Sequence, residues 1–476
     1  MELRPLWSGF AYKPHQEKGI KWLLEREKKT PSGGIVCDEM GLGKTIQLLA
    51  LLKMEQKTHT LLVAPVAVLS QWEDAARRSG ITVLRPTKTR LHREWKIQGT
   101  FRPLAAKIYL IGYEMARLSP QFLNMIEWTR LICDEAHRLA SKKSALSAMA
   151  FTIRAPTKWL LTATPIVNSA KDIVNLLTIV GVTVSKQPAE LLPVVREYVM
   201  ARSMDNLRGA GAVAPPKPEI HREVLPFASE EEEEFYKGMT GLIVKRWKAL
   251  EDEVGGSNAL LKLRLFMRLR QLSVHPQVYI DARRGSNPSQ DRPDWSGSST
   301  KFEAIKKLVN TEKPHKWIIF CHFHSEMELL KKTLEGLPFV GRVFMYNGTL
   351  GQSERASVIA ATHEPSTTTD VLLIQLQSGG VGLNLQHFDR IIFSGPWWTS
   401  ALMEQAVGRA VRIGQTEVVH VYHLVLKEEE ALNIDQYMLN KADEKGSLCK
   451  EILSAAWSEG VAPAAAAPAA AAPAAA

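Results

Sequence analysis

Residues 38 to 45 read Asp-Glu-Met-Gly-Leu-Gly-Lys-Thr, between the apolar run Ile35-Val36-Cys37 and a helical pattern beginning at Ile46. A strand, a glycine-rich loop and a helix in that order form a phosphate-binding loop. Gly41 and Gly43 let the backbone curl its N–H groups around phosphate oxygens, and the positive end of the following helix adds attraction. Lys44 is then placed to reach the β- and γ-phosphates, and Thr45 to ligate magnesium. The general pattern opens with Gly, whereas this chain has Asp38.

A second candidate, Asp134-Glu135-Ala136-His137, follows directly on the apolar run Leu131-Ile132-Cys133. A carboxylate at a strand end holds magnesium, directly or through water, and its neighbour orients or deprotonates the attacking water. Asp134 takes the metal role and Glu135 the water role. Alone, the first stretch has a glycine turn before a helix as its alternative, and the second is more often a solvated turn. Together they point to hydrolysis of a nucleotide, with ATP and Mg2+ as cofactors.

Such loops need a sheet to carry them. Short runs rich in Val, Ile and Leu recur at residues 34–36, 60–63, 108–111, 131–133 and 158–161, with helical stretches between them. That alternation predicts a parallel sheet covered by helices. The same rhythm returns at 317–320, 342–346, 371–374, 390–393 and 418–423, so a second α/β lobe is expected. The expected division is a first lobe over 1–184, a helical insertion over 185–280, a linker over 281–300, a second lobe over 301–443, and a C-terminal helix with an Ala/Pro tail over 444–476. Ser229 with Glu232 fits a capping box at a helix start.

At 476 residues the chain has length for two or three domains. Its 45% hydrophobic and 23% charged residues are ordinary for a globular protein. The net charge of +10 suits a polyanionic partner, of which nucleic acid is the first choice. Four cysteines without a C-x-x-C pair indicate neither a zinc cluster nor a disulfide framework, and suit an intracellular, reducing compartment. Apolar runs stay well below the roughly 20 residues that span a bilayer, so no membrane role is expected.

The loop DEMGLGKTIQ at 38–47, Asp38 included, resembles the first motif of the Swi/Snf-type remodelling and repair ATPases of helicase superfamily II. The resemblance covers residues 12–443 and implies two RecA-type lobes. His15-Gln16 with Gly19 and Trp22 is similar to the family's adenine-side motif, which implies that Gln16 reads the base edge. The segments LVAPVAVLSQW (62–72) and IGYEM (111–115) resemble those that touch a DNA strand, and LTATP (161–165) resembles the motif coupling the nucleotide site to DNA. LSVHP (272–276) resembles the helical protrusion. Arg264, Arg268 and Arg270 before it are expected on a solvated helix face.

In the second lobe GGVGLNL (379–385), Pro396-Trp397-Trp398 and QAVGRAVRIGQ (405–415) match the family. They imply a nucleotide-side role for Gly382 and arginine fingers at Arg409 and Arg412. The chain departs from the common pattern at Gly408 and Val411, where Asp and His are usual, and at Gln375 and Gln377, where Ser and Lys often occur. The resemblance implies an ATP-dependent translocase on double-stranded DNA that moves or displaces DNA-bound proteins, nucleosomes among them, with room for further protein subunits. A DNA-stimulated ATPase of repair, transcription or viral genome handling is the alternative, and a nucleotide-gated DNA-binding scaffold is an alternative of another class. A nuclear or other DNA-containing intracellular compartment follows from the same resemblance, and the compactness of the chain also suits a viral or other minimal member.

Overall fold

The computed structural model describes residues 3–55, 59–86, 107–209, 215–252, 258–285, 292–297, 299–376, 383–412 and 414–456. The chain forms two compact units, Met1–Val213 with Leu448–Ala476, and Ala214–Ser447. The first holds β1 (Ser32–Val36), β2 (Thr60–Ala64), β3 (Val83–Leu84), β4 (Ile108–Gly112), β5 (Arg130–Asp134), β6 (Thr157–Leu161) and β7 (Val199–Met200). They pair in parallel in the order β3-β4-β2-β5-β6-β1-β7. Parallel strands covered on both faces need near-continuous apolar runs. β2 and β4 are accordingly buried at every residue. Leu161 pairs with Val36 on one side and Asp134 on the other, which brings the ends of β1 and β5 to one level.

The second unit holds β8 (Glu219–Leu225), β9 (Lys316–Cys321), β10 (Val340–Tyr346), β11 (Thr369–Gln375), β12 (Arg390–Phe393) and β13 (His420–Leu426), paired in parallel in the order β10-β11-β9-β12-β13-β8. Ile318 and Phe320 face one core while Trp317, Ile319 and Cys321 face another, the alternation of a strand buried on both sides. The expected α/β class and both parallel sheets are present; nine of the ten apolar runs lie wholly on strands, and the tenth, 418–423, enters β13 at His420.

Residues 185–280, expected as a helical insertion, also supply an edge strand to each sheet. The helix Pro188–Tyr198 leads into β7 beside β1, and β8 lies beside β13. Neither strand offers an apolar run: β7 has two residues, and β8 reads EIHREVL with exposed positions along it. The helices Glu230–Asp252, Asn258–Val274 and Pro276–Arg284 then pack on one another through Tyr236, Leu269, Leu272 and Tyr279. Trp295, within the expected linker, packs against Phe235 with ring centroids 5.2 Å apart and so belongs to this helical layer.

Two expectations need correction here. Arg268 and Arg270 are buried, at 8% and 4% exposure, and only Arg264 of the three is exposed. The Arg270 guanidinium lies 4.3 Å from the Trp397 ring centre and 2.9 Å from His322 Nδ1, a weakly hydrated planar cation packed on aromatic faces. The Ser229 cap is half formed: its Oγ accepts from Glu232 N at 3.2 Å, but the Glu232 carboxylate accepts from the Thr300 backbone N–H and hydroxyl instead of turning back.

From Leu448 the chain rejoins the first unit, where Ile452 and Ala456 enter its core. Among the described residues no helix is long and apolar enough to cross a membrane.

Candidate nucleotide-binding and catalytic site

The loop after β1 carries Gly41 and Gly43 with φ of 84° and 85°, left-handed conformations that suit glycine. Gly43 caps the helix Lys44–Met54 without a side-chain hydrogen bond to the first helical N–H groups. Those groups and the helix dipole make an anion seat. A Cβ on Gly43 would run into Gln16 Nε2, which places Gln16 directly against the loop. The Gln16 amide donates to Leu42 O at 3.3 Å, and Lys44 Nζ donates to Asp38 O at 2.6 Å.

Asp134 ends β5, and two neighbours hold it. Trp72 Nε1 donates to its Oδ2 at 2.7 Å, and the Tyr113 hydroxyl donates to its backbone O at 2.6 Å. Burial and then the Glu135 charge push the Asp134 carboxyl up to about 6, against the opposing pull of Trp72 and Lys44. Glu135 has a left-handed backbone with φ 51°, uncommon for a residue with a side chain. Its carboxylate lies 3.3 Å from His137 Nδ1, which is 3.4 Å from Thr162 Oγ1. Thr162 N donates to Val36 O at 3.1 Å, so a chain of polar contacts runs from Glu135 through the LTATP segment to the strand that launches the phosphate loop.

A raised folded-state value means that Asp134 contributes stability below its ordinary value near 3.9, and that this is lost as pH rises through about 6. Asp134→Asn, which keeps an acceptor for Trp72, is therefore expected to stabilise the unliganded chain by about 3 kcal/mol at pH 8 and by little at pH 4. Urea unfolding at the two pH values checks this. Equal stabilisation at both would show that burial and Glu135 do not load this carboxylate.

Sequence reasoning missed Arg202. Its guanidinium clasps Asp38, with Nε 3.0 Å from Oδ1 and a second bond to Oδ2, and also donates to Gln47 Oε1 at 2.8 Å. Both members of the pair are essentially excluded from solvent. Around them Cys37 N donates to Met200 O, Glu39 N donates to Arg202 O and Met204 N donates to the Glu39 carboxylate. A Cβ on Gly19 would collide with Gln47 and Arg202, which explains glycine there. A buried carboxylate requires a partner cation, but only the fold shows that Asp38 is buried.

In the second unit Arg409 follows the helix Ser400–Val407, is 3% exposed, and its carbonyl accepts from Leu385 N at 3.0 Å. Arg412 Nε donates to Gly408 O at 2.9 Å, and burial lowers its pKa. The two arginines thus lie three residues apart in the chain after this helix, with the Arg409 backbone against Leu385. Gln375 ends β11, whereas Gly382 and Gln377 lie outside the described residues.

The chain matches the SNF2-related domain over residues 15–191 and the helicase conserved C-terminal domain over residues 300–414, together more than half its length. It is 26% identical to a probable global transactivator of Orgyia pseudotsugata multicapsid polyhedrosis virus, covering 90% of this chain and 89% of that protein. It is 27% identical to a probable ATP-dependent DNA helicase of Arabidopsis thaliana, covering 94% of this chain but 42% of the longer plant protein. Among solved structures it aligns with the Sulfolobus solfataricus SWI2/SNF2 ATPase core in complex with dsDNA, at 19% identity and a TM-score of 0.41, covering 96% of this chain and 99% of that one.

Proposed function

This chain belongs to the SNF2-related, helicase-type ATPases, and from that premise we propose that it is an ATP-driven translocase on double-stranded DNA that displaces or slides DNA-bound proteins. The observation that carries the proposal is the anchoring of Asp134. Trp72 and Tyr113 come from the two segments that resemble DNA-strand contacts, and both hydrogen-bond to this one aspartate. Movement of either segment on DNA is thereby felt at the nucleotide site.

In this reading the loop N–H groups and Lys44 seat the β- and γ-phosphates, Gln16 borders the base, and Gly382 keeps the nucleotide-side role that the resemblance gives it. Thr45 and Asp134 offer hard oxygen ligands of the kind Mg2+ prefers, so the residues fit that ion. A magnesium ion held by Thr45 and Asp134 would supply positive charge to offset that of the phosphates. Glu135, aimed by His137 and Thr162, orients the attacking water and takes its proton. Arg409 and Arg412 neutralise charge developing on the transferred phosphoryl group. Phosphate-backbone contacts make the grip indifferent to sequence and sensitive to salt. Such a motor works where its DNA is, in a nuclear or viral setting, and further protein subunits would set its targets.

The test is ATP turnover by the purified chain alone and with single-stranded DNA, duplex DNA, RNA or mononucleosomes at two salt concentrations. Strong stimulation by duplex, falling with salt, is expected, and further stimulation by nucleosomes would identify them as substrate. Stimulation by RNA alone would overturn the substrate, and absence of turnover under every condition would favour a nucleotide-gated scaffold.

A further inference from the structure

At the outer edge of the second sheet three side chains converge that the nucleotide chemistry does not use. Glu219 and His221 project from one face of β8, two residues apart. His420, the first residue of β13, pairs in register with Glu219. His221 Nε2 lies 3.2 Å from His420 Nδ1, and Glu219 Oε2 lies 3.3 Å from His420 Nδ1 and 3.9 Å from His221 Nε2. The His221 ring is held between His420 and Tyr422, nearly parallel to both, with centroids 5.4 and 4.7 Å away. Its orientation is therefore set by packing and not by the solvent.

Zinc bonded to nitrogen at about 2.0–2.1 Å with tetrahedral angles requires donor atoms roughly 3.3 Å apart. Two of the three spacings already meet that value. The third closes with a small rotation of Glu219, whose side chain is 58% exposed and free to turn. One proton shared between the imidazoles satisfies one pair of these electron-pair donors, whereas one divalent cation satisfies all three. Two imidazoles and a carboxylate favour zinc over magnesium or calcium, which take oxygen ligands.

The geometry points to a zinc site formed by Glu219, His221 and His420, with its fourth position open to water. The ion staples β8, the edge strand by which the chain enters the second unit, to β13. A bond across two strand ends stabilises the paired state because the unfolded chain does not hold the three donors together. The site is structural, is independent of the translocase reading, and takes no residue from the phosphate loop.

The experiment is calorimetric titration of the metal-stripped full chain with zinc chloride, repeated with cobalt chloride while recording visible absorption. One equivalent of zinc is expected to bind, with tetrahedral cobalt bands. Unfolding should shift upward by roughly 5 °C at zinc about 100-fold above its dissociation constant. His420→Gln should abolish that equivalent, and Glu219→Gln, at an exposed side chain that leaves folding intact, should weaken it by about tenfold or more. Absence of zinc binding by the parent chain, or undiminished affinity in Glu219→Gln, overturns the proposal.

Discussion

Glu135→Gln is expected to lower the rate of ATP turnover by a factor on the order of 10² to 10⁴ while duplex binding persists. The exchange keeps the size of the side chain and its approach to His137, but removes the group that takes the proton from water. Lys44→Ala should silence turnover equally by a different route. Its ammonium, which in this structure rests on the carbonyl of Asp38, is no longer available to the phosphates, so nucleotide affinity falls as well. Single-turnover hydrolysis and nucleotide titration separate the two variants: Glu135→Gln should still bind ATP, and Lys44→Ala should not. Undiminished turnover in either purified variant would refute the assignment of this site.

The second large effect concerns the Asp38–Arg202 pair. Arg202→Met leaves a carboxylate with no cation beside it in a site closed to water, and removal of one partner from a buried pair costs about 3–5 kcal/mol. The first unit should therefore unfold at markedly lower denaturant, and what remains folded should bind ATP weakly because the start of the phosphate loop has lost its brace. The double variant Asp38→Asn with Arg202→Met removes both charges and should recover a large part of the stability. Recovery of stability without recovery of ATP affinity would mark Arg202 as a residue that positions the loop. No loss of stability in the single variant would contradict the burial of the pair.

The elements that carry chemistry were legible because their sequence patterns are local. A parallel strand buried on both sides advertises itself as a run of Val, Ile and Leu, and the phosphate loop and the Asp134–His137 stretch each follow such a run. The partners of those motifs were less legible. Trp72 and Tyr113 lie in segments that resemble DNA-strand contacts, and nothing in their spacing pointed to Asp134, which lies 62 and 21 residues away in sequence. Arg202 was hidden because β7 is too short to give a period and its neighbours read as helix. Arg268 and Arg270 misled in the opposite direction, because charge suggests solvent and a guanidinium stacked on Trp397 does not need it.

The double hold on Asp134 carries a thermodynamic obligation. Trp72 restrains its carboxylate and Tyr113 its carbonyl, so a duplex that shifts either aromatic changes how readily the aspartate offers its oxygens to a cation. Linkage then works in both directions: whatever factor DNA contributes to metal–nucleotide affinity, metal–nucleotide must return to DNA affinity. Under the proposed translocase reading, tightening on metal–nucleotide alters the hold on DNA, and weakening the Trp72 hydrogen bond weakens that coupling.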